Sequence, residues 1–507
     1  MTTHLIKPSR EEFRELARQG NLIPVSTELI ADAETPISAF QKLDRGGYTF
    51  MLESAENVNE RGRYSFVGTD PRILFTARDR EISLTEAGET RTYQAPGDPL
   101  KELEKVMERF KPVKQPDLPL FTGGAVGYMA YDMVRFFEPT IGALPTEKNP
   151  PNEVPDMVFL ITDTLLIFDH LLRRLRILCN TLVDGDPDTA YDIACEKIEA
   201  LMERLSRPAF LPPVNVHSEV PPQEVRSNTT KEEFYEIVRS GRKYIEAGDI
   251  FQVVFSQRFE TDYEGDPLQI YRALRYINPS PYLFCFKFAD EFALVGSSPE
   301  VHVRAIDGNI TIRPIAGTRK RGATEEEDLA NEKDLLADPK EKAEHLMLVD
   351  LARNDVGRVS EFGSVKVTAF MTVERYSHVM HIVSNVVGKL KPEANGYDVL
   401  RATFPAGTVS GSPKVRAMQI INEQEKSKRK AYAGAVGYFG FDGNHDSCIT
   451  LRSVLLKDGK AFIQAGGGNV ADSTPEGEYQ ETVNKAMAVM RAIEHAKSVD
   501  TSCHHHH

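Results

Sequence analysis

Tryptophan is absent from all 507 residues, and cysteine occurs only five times, scattered and without a CxxC pair. So little cysteine excludes a disulfide framework and suits a reducing cytoplasm. No apolar run approaches the roughly 20 residues that span a bilayer, and Met1-Thr2-Thr3-His4 opens no signal peptide. Positive charge is in deficit, with 61 Lys and Arg against 75 Asp and Glu and a net charge of −14. That balance argues against a general binder of nucleic acid or acidic membrane, whose footprint would be basic. A local basic pocket for a small anion stays open. The glycine-rich "QAGGGNV" (464–470) has neither the lysine nor the spacing of a phosphate-binding P-loop.

What is present reads as a large globular protein, 41% hydrophobic and 27% charged, long enough for two domain-sized units. The clearest boundary is the Pro-rich, aperiodic "SRPAFLPPVNVHSEVPPQEVRSN" (206–228). It divides the chain into an N-terminal part (1–210), a linker (211–228) and a C-terminal part (229–500). Residues 501–507 end in histidines and read as the remnant of an expression tag. After the linker, Thr230 with Glu233 predicts a capping box and a helix. "IFQVVFSQRF" (250–259) predicts a strand with Gln252, Ser256 and Arg258 on one face. "VHVRAIDGNITIRPI" (301–315) predicts a hairpin about its DG turn, and "CITLRSVLLKDGKAFIQ" (448–464) another. Two pairs of strings repeat in the same order. "YSFVGTDPRI" (64–73) resembles "FALVGSSPEV" (292–301), and "GGAVGYMAYD" (123–132) resembles "AGAVGYFGFD" (433–442). Such a repeat predicts two related sheets packed together, with added chemistry in the insertion near 319–430.

Two helix starts carry paired carboxylates. Asp338 and Pro339 suit the cap and first position of a helix whose Glu341 and Glu344 share a face. Near the C-terminus Ser473 or Thr474 caps, Pro475 follows, and Glu478 and Glu481 are again three apart. Each pair alone is explained by the helix dipole. Both together also fit four carboxylates facing one hard cation, for which oxygen-only ligands select Mg²⁺. The glycines of "QAGGGNV" could bring backbone N–H groups to an anion, or simply make a tight turn. Arg452, inside an apolar run, calls for a partner: a bound carboxylate or an internal Asp or Glu. "FPAGTVSGSPK" (404–414) offers the hydroxyls of Thr408 and Ser410, though turn formation also accounts for it. His381 in "VMHIVS" reads by itself as a core histidine.

"AEHLMLVDLARND", "FPAGTVSGSPK", "AGAVGY" and "QAGGGNVADS" together resemble the chorismate-utilising enzymes. That family includes anthranilate synthase, aminodeoxychorismate synthase, isochorismate synthase and salicylate synthase. The likeness spans nearly the whole chain and is greatest to the large, chorismate-binding subunits of anthranilate synthases. It implies an α+β fold, a layered α/β/β/α complex of two packed antiparallel β-sheets with helices outside. It also implies roles. Glu344 and Glu478 would hold Mg²⁺ directly, with Glu341 and Glu481 acting through its waters. Glu300 of "SSPE" would be the general acid for the departing 4-hydroxyl of chorismate. Arg452, Tyr438 and the backbone at Gly466, Gly467 and Gly468 would grip the enolpyruvyl carboxylate, and Thr408 would help hold the ring carboxylate. His381 matches a histidine linked to the later loss of pyruvate.

The resemblance also gives meaning to "PIAGTRKR" (314–321). Relatives that make aminodeoxychorismate carry a nucleophilic lysine in "PIKGT", where this chain has Ala316 beside Gly317 and Thr318. Relatives that add water use a lysine base where it has Gln252. With both lysines absent, ammonia is the implied nucleophile. Arg319 to Arg321 read as solvated cations. "MLES" (51–54) and "NPSPYLF" (278–284) resemble the tryptophan feedback elements of anthranilate synthase, pointing to Leu52, Ser54, Pro281, Tyr282 and Leu283. Because they flank the linker, they would couple the two sheets. No cysteine lies in a nucleophile-elbow context, so glutamine-derived ammonia would come from a separate glutamine amidotransferase subunit in a hetero-oligomer.

The implied activity is a cytoplasmic, feedback-inhibited, Mg²⁺-dependent carbon–oxygen lyase turning chorismate and ammonia into anthranilate and pyruvate for tryptophan biosynthesis. A chain without tryptophan suits that task. The alternatives are a 2-amino-2-deoxyisochorismate synthase without the pyruvate step and a non-catalytic tryptophan-sensing relative.

Overall fold

A computed structural model of the chain describes residues 5–54, 62–147, 150–214, 223–376 and 379–503. Part of the expected linker (215–222) and the tag residues 504–507 lie outside them. The glycines of the first repeat show what builds the core. A Cβ on Gly68 would lie 2.3 Å from the Phe50 ring, and one on Gly296 would lie 2.3 Å from Phe284. Each "VG" thus makes room for a phenylalanine of the neighbouring strand. Phe50 and Phe284 are both fully buried, a burial worth ~1.5–3 kcal/mol each.

Two sheets result, each of 12 strands among the described residues and antiparallel at every strand pairing. In the first, Tyr48–Glu53 pairs with Tyr282–Phe288, and Lys460–Asn469 pairs with Gln252–Asp262. In the second, Gly124–Met129 pairs with Ala435–Gly440, and Ile315–Lys320 pairs with Val379–Lys389. Phenylalanines 50, 284, 286 and 288 of the first sheet and Val126, Tyr128 and Val436 of the second form the core between them. The outer face of the first sheet is covered by Pro36–Leu43, Pro187–Leu205, Pro267–Ile277 and the C-terminal helix Pro475–Cys503. The outer face of the second is covered by Pro99–Met107 and Gly396–Thr403, among others. The architecture is the expected α+β arrangement of two packed antiparallel sheets with helices outside.

The repeat is real but is laid out differently from expectation. Its copies do not build one sheet each. "YSFVGTDPRI" and "FALVGSSPEV" each run out of the first sheet and into the second. The other pair lies side by side in the second sheet, with Gly127 opposite Gly437, Val126 opposite Tyr438 and Tyr128 opposite Val436. The copies are therefore related by a local two-fold through the glycine pair. Added Cβ atoms there would lie 1.9 and 2.1 Å from the carbonyl oxygens of Val158 and Asp446. Both sheets consequently take strands from before and after residues 211–228.

The local chemistry of the turns is as expected. Asp307 and Gly308 take φ of 47° and 75°, the double positive φ of a tight hairpin, between Val301–Ile306 and Asn309–Ile312. Asp458 and Gly459 do the same between Ser453–Lys457 and Lys460–Asn469. The rest of "CITLRSVLLKDGKAFIQ" differs: its first residues end the strand His445–Ile449 of the second sheet, and the chain then crosses to the first. Arg452 stands at that crossing with a left-handed φ of 48°, not inside a strand. Among the described residues no helix is long and apolar enough to cross a membrane. Cys179, Cys195, Cys285 and Cys448 are free thiols.

Candidate active site

The two carboxylate-bearing helices start as their sequences require. Asp338 caps Pro339–Val359 by accepting from the backbone N–H groups of Lys340 (2.9 Å) and Glu341 (3.3 Å). Thr474 accepts from Gly477 N at 3.2 Å to cap Pro475–Cys503, which leaves Ser473 free to donate to Glu478 Oε1 at 2.6 Å. Arg319 pins the first of these starts. Its guanidinium reaches Asp334 (2.7 Å), Asp338 (2.9 Å) and Glu341 (3.1 Å). Arg321 pairs with Asp328 at 2.7 Å. The basic run is thus structural at these two positions rather than solvated.

Glu344 and Glu478 share the charged neighbours Lys340, Lys485 and Glu481 beside the glycine strand. Burial raises the Glu344 carboxyl, reinforced by the negative charges of Glu341 and Glu481 and opposed by Lys485 and a hydrogen bond from Gln252. Burial likewise pushes Glu478 up to about 7, against the hydrogen bond from Ser473 and with a further push from Glu481. A Cβ on Gly467 would lie 2.6 Å from Glu478 Oε2 and 3.7 Å from Glu481 Cδ; one on Gly468 would lie 2.4 Å from Gln252 Nε2. The glycines are there because these side chains occupy the space. Glu478 Oε2 is buried with no hydrogen-bond partner. A crowd of like charges with an orphaned carboxylate oxygen is the environment a cation satisfies. Among the described residues no three His, Cys, Asp or Glu side chains form a ready-made cage. One or two carboxylates completed by water and an anion is the arrangement Mg²⁺ accepts, so the residues fit that ion. Lys340, paired with Asp472 at 2.8 Å, and Lys485, 2.6 Å from Glu481, bring positive charge to the same carboxylates.

Glu300 lines a small cavity with Thr408, His302, Leu348 and Asp355. Burial pushes its carboxyl up to about 8; Thr408 and Lys485 oppose the shift. The Thr408 hydroxyl is near without making a well-formed bond, and its oxygen is buried and unpartnered. A carboxyl that is protonated at neutral pH can give a proton away. In free enzyme its acid form is lost as pH rises through about 8. We therefore expect kcat/KM to fall above that pH, and Glu300→Gln to remove this limb along with most of the rate. A pH–rate profile unaffected by the substitution would discard Glu300 as the acid.

Arg452 is half-buried; its charge is disfavoured by burial and favoured by Tyr432 and Glu481. It donates to the Lys485 carbonyl, and no described carboxylate forms an ion pair with it. Its neighbour at the glycine strand is Tyr432, whose hydroxyl would lie 2.6 Å from a Cβ on Gly466. Tyr438 does not join this group. It sits on Ala435–Gly440 with its ring 4.0 Å from that of Phe121 and its hydroxyl influenced by Asp446 and Arg304. Against the expectation, the tyrosine beside Arg452 is Tyr432 and not Tyr438. Both tyrosines belong to "AYAGAVGY", and the strand carries the second one away from Arg452 into the core between the sheets.

His381 lies opposite Thr318 on paired strands, and Ala316 lies opposite Ile382. His381 Nδ1 is 3.1 Å from the Gly317 carbonyl oxygen and 3.0 Å from the Thr318 hydroxyl. Burial lowers its pKa, which keeps the ring neutral. Gly317 takes a φ of 76°, and a Cβ there would lie 3.1 Å from Glu341 Oε2. "PIAGT" is therefore tied to the carboxylate group on one side and to His381 on the other.

"MLES" and "NPSPYLF" meet as expected: Leu283 lies opposite Glu53, and Phe284 lies opposite Leu52. Ser54 follows directly, and Pro281 precedes the strand. They are neighbouring strands of one sheet, so flanking the linker does not put them in different sheets. The tie to the second sheet comes instead from Tyr282, which donates to Asp446 Oδ1 at 2.8 Å.

The family model of the chorismate binding enzymes matches residues 48–491. The chain belongs to that family. Its sequence is 48% identical over 494 residues to anthranilate synthase component 1 of Aquifex aeolicus, covering 96% of this chain and 98% of that one. It is 45% identical over 496 residues to the protein of the same name from Acetivibrio thermocellus, covering 97% and 99%. The crystal structure of anthranilate synthase component I from Streptococcus pneumoniae matches with a TM-score of 0.74 at 36% identity, covering 91% of this chain and 99% of that chain. The menaquinone-specific isochorismate synthase of Escherichia coli, at 18% identity and a TM-score of 0.70 over 95% and 98%, shares the fold.

Proposed function

We propose that this chain is the chorismate-binding component of an anthranilate synthase. The observation that carries the reading is the gathering of Glu344, Glu478 and Glu481 around Lys485, the last two against Gly467, in a chain with Ala316 and Gln252 where lysine nucleophiles or bases would stand. Glu344 and Glu478 would hold Mg²⁺, with Glu341 and Glu481 acting through water. When bound, the ion supplies positive charge to the ring carboxylate of chorismate. Thr408, with its unpartnered oxygen, faces the same cavity as Glu300. Glu300 gives its proton to the departing 4-hydroxyl, which leaves as water. Arg452, free of an internal carboxylate, takes the enolpyruvyl carboxylate beside Tyr432 and the backbone of Gly466 to Gly468. Ammonia forms the new carbon–nitrogen bond, because neither Ala316 nor the neutral Gln252 supplies an amine or activates water. Loss of pyruvate then gives the aromatic ring, with neutral His381 near that step.

Tryptophan would bind where Leu52, Ser54, Pro281, Tyr282 and Leu283 converge, with Tyr282 passing its presence to the second sheet through Asp446. The naming of the relatives as component 1 supports a partner component, a glutamine amidotransferase that releases the ammonia. Free thiols at four described positions suit the cytoplasm.

The test is incubation with chorismate, ammonium and Mg²⁺, following fluorescence and pyruvate. Both products are expected to appear together and to stop on adding EDTA. An amino product without pyruvate would point instead to a 2-amino-2-deoxyisochorismate synthase, and tryptophan binding without turnover to a sensor.

A further inference from the structure

Arg429 lies outside the groups so far given roles, yet it is 2% exposed and reaches several of them. Its Nη1 donates to the Val409 carbonyl at 2.7 Å and its Nη2 to the Val254 carbonyl at 2.7 Å. Nε and Nη2 also form a fork on Glu425, at 2.9 and 2.6 Å. Its guanidinium carbon lies 4.7 Å from the centre of the Tyr131 ring and 5.6 Å from that of Tyr432. Glu425 in turn accepts from Ser256 N (2.8 Å) and Ser256 Oγ (2.9 Å).

Each backbone partner adjoins a substrate-facing residue. Val254 is two residues from Gln252, on the same face of the strand. Val409 follows Thr408, and Tyr432 stands beside Arg452. A buried ion pair is a poor source of net stability, since desolvation consumes most of its attraction. This one makes better sense as geometry. A planar guanidinium with fixed N–H directions can bond two carbonyls and a carboxylate while lying against two rings; an ammonium cannot.

We infer that Arg429, held by Glu425, is a positioning residue that locks the Gln252 strand, the Thr408 turn and the Tyr432 ring into one frame around the substrate. This rests on the anthranilate synthase reading. Misplacing groups by an ångström costs on the order of 10²-fold in rate.

The test compares Arg429→Lys, Tyr432→Ala and the double variant, in full-length chain with saturating ammonium and Mg²⁺. Arg429→Lys is expected to lower kcat/KM for chorismate by roughly 10- to 100-fold while the affinity for tryptophan, bound elsewhere, stays unchanged. Tyr432→Ala removes one of the groups being positioned. In that background the further loss on Arg429→Lys should shrink to a fraction of its single-variant value, a non-additivity that marks residues acting together. Losses that multiply, or a parallel drop in tryptophan affinity, would overturn the proposal in favour of a stability role. Glu425→Gln keeps the size and the Ser256 contacts, and should give the same kcat/KM deficit in smaller measure. It decides the matter alone if Arg429→Lys does not fold: a normal kcat/KM for Glu425→Gln then sinks the proposal. Absence of anthranilate from the parent chain would reject the activity itself, a result separate from additivity among active variants.

Discussion

Replacing Glu344 by Gln is expected to reduce turnover of chorismate by about 10²–10³-fold, the usual cost of removing one electrostatic contact at the reacting centre. The substitution keeps the size of the side chain and a partner for Gln252, and takes away one charge. In the free protein that charge is a burden, because Glu344 is held above its ordinary range by burial and by the neighbouring carboxylates. Removing it relieves repulsion, so the variant should melt at or above the temperature of the parent. The fall in activity and the gain in stability are thus opposite in sign, which a residue serving only the fold would not show. Any tryptophan binding at the proposed site, measured by calorimetry, should match the parent, since Leu52 and Tyr282 lie on paired strands and Glu344 on the helix Pro339–Val359. Full turnover in Glu344→Gln would take the metal assignment away.

The second large effect is expected at Ala316. It is half-buried on Ile315–Lys320, opposite Ile382, and precedes a glycine whose missing Cβ leaves Glu341 Oε2 close by. Ala316→Lys brings an amine to a strand tied to both the carboxylate group and His381. Anthranilate formation should fall at least roughly tenfold, a ~1.4 kcal/mol loss, and pyruvate release should fall with it. Mass spectrometry should find chorismate-derived material attached to the chain or an amino product that keeps its side chain. The same product at the same rate would show that position 316 does not select the nucleophile.

The parts legible in the sequence were those governed by local chemistry. Asp338, Thr230 and the Asp307-Gly308 turn do what their side chains and backbone preferences require, whatever surrounds them. The two glutamate pairs were legible from their spacing at two helix starts. That they share a site stayed open beside the helix-dipole explanation until the resemblance, since helix starts so far apart in sequence carry no local sign of meeting. Tyr432 was missed because it lies a few residues before Tyr438 in a run of small and aromatic residues. The folded chain separates them, setting Tyr432 against Gly466 and carrying Tyr438 onto Phe121. The crossing at Arg452 was hidden for a related reason: a strand ending in one sheet and a strand opening the next give one continuous apolar run. Arg319 read as solvated because its three acidic partners gather only after two helices have formed.

The interleaving of the sheets bears on how the chain is made. Glu53 must wait for Leu283, Gly127 for Gly437, and Gln257 for Ala465. A growing polypeptide therefore emerges with strand edges whose partners have yet to be translated, and neither half can finish before nearly all of the other exists. Contacts so distant in sequence make for slow closure and a long exposure of unpaired β-structure. Among the described residues, the last strand out of the ribosome, Lys460–Asn469, is also the one against which Glu478 and Glu481 pack.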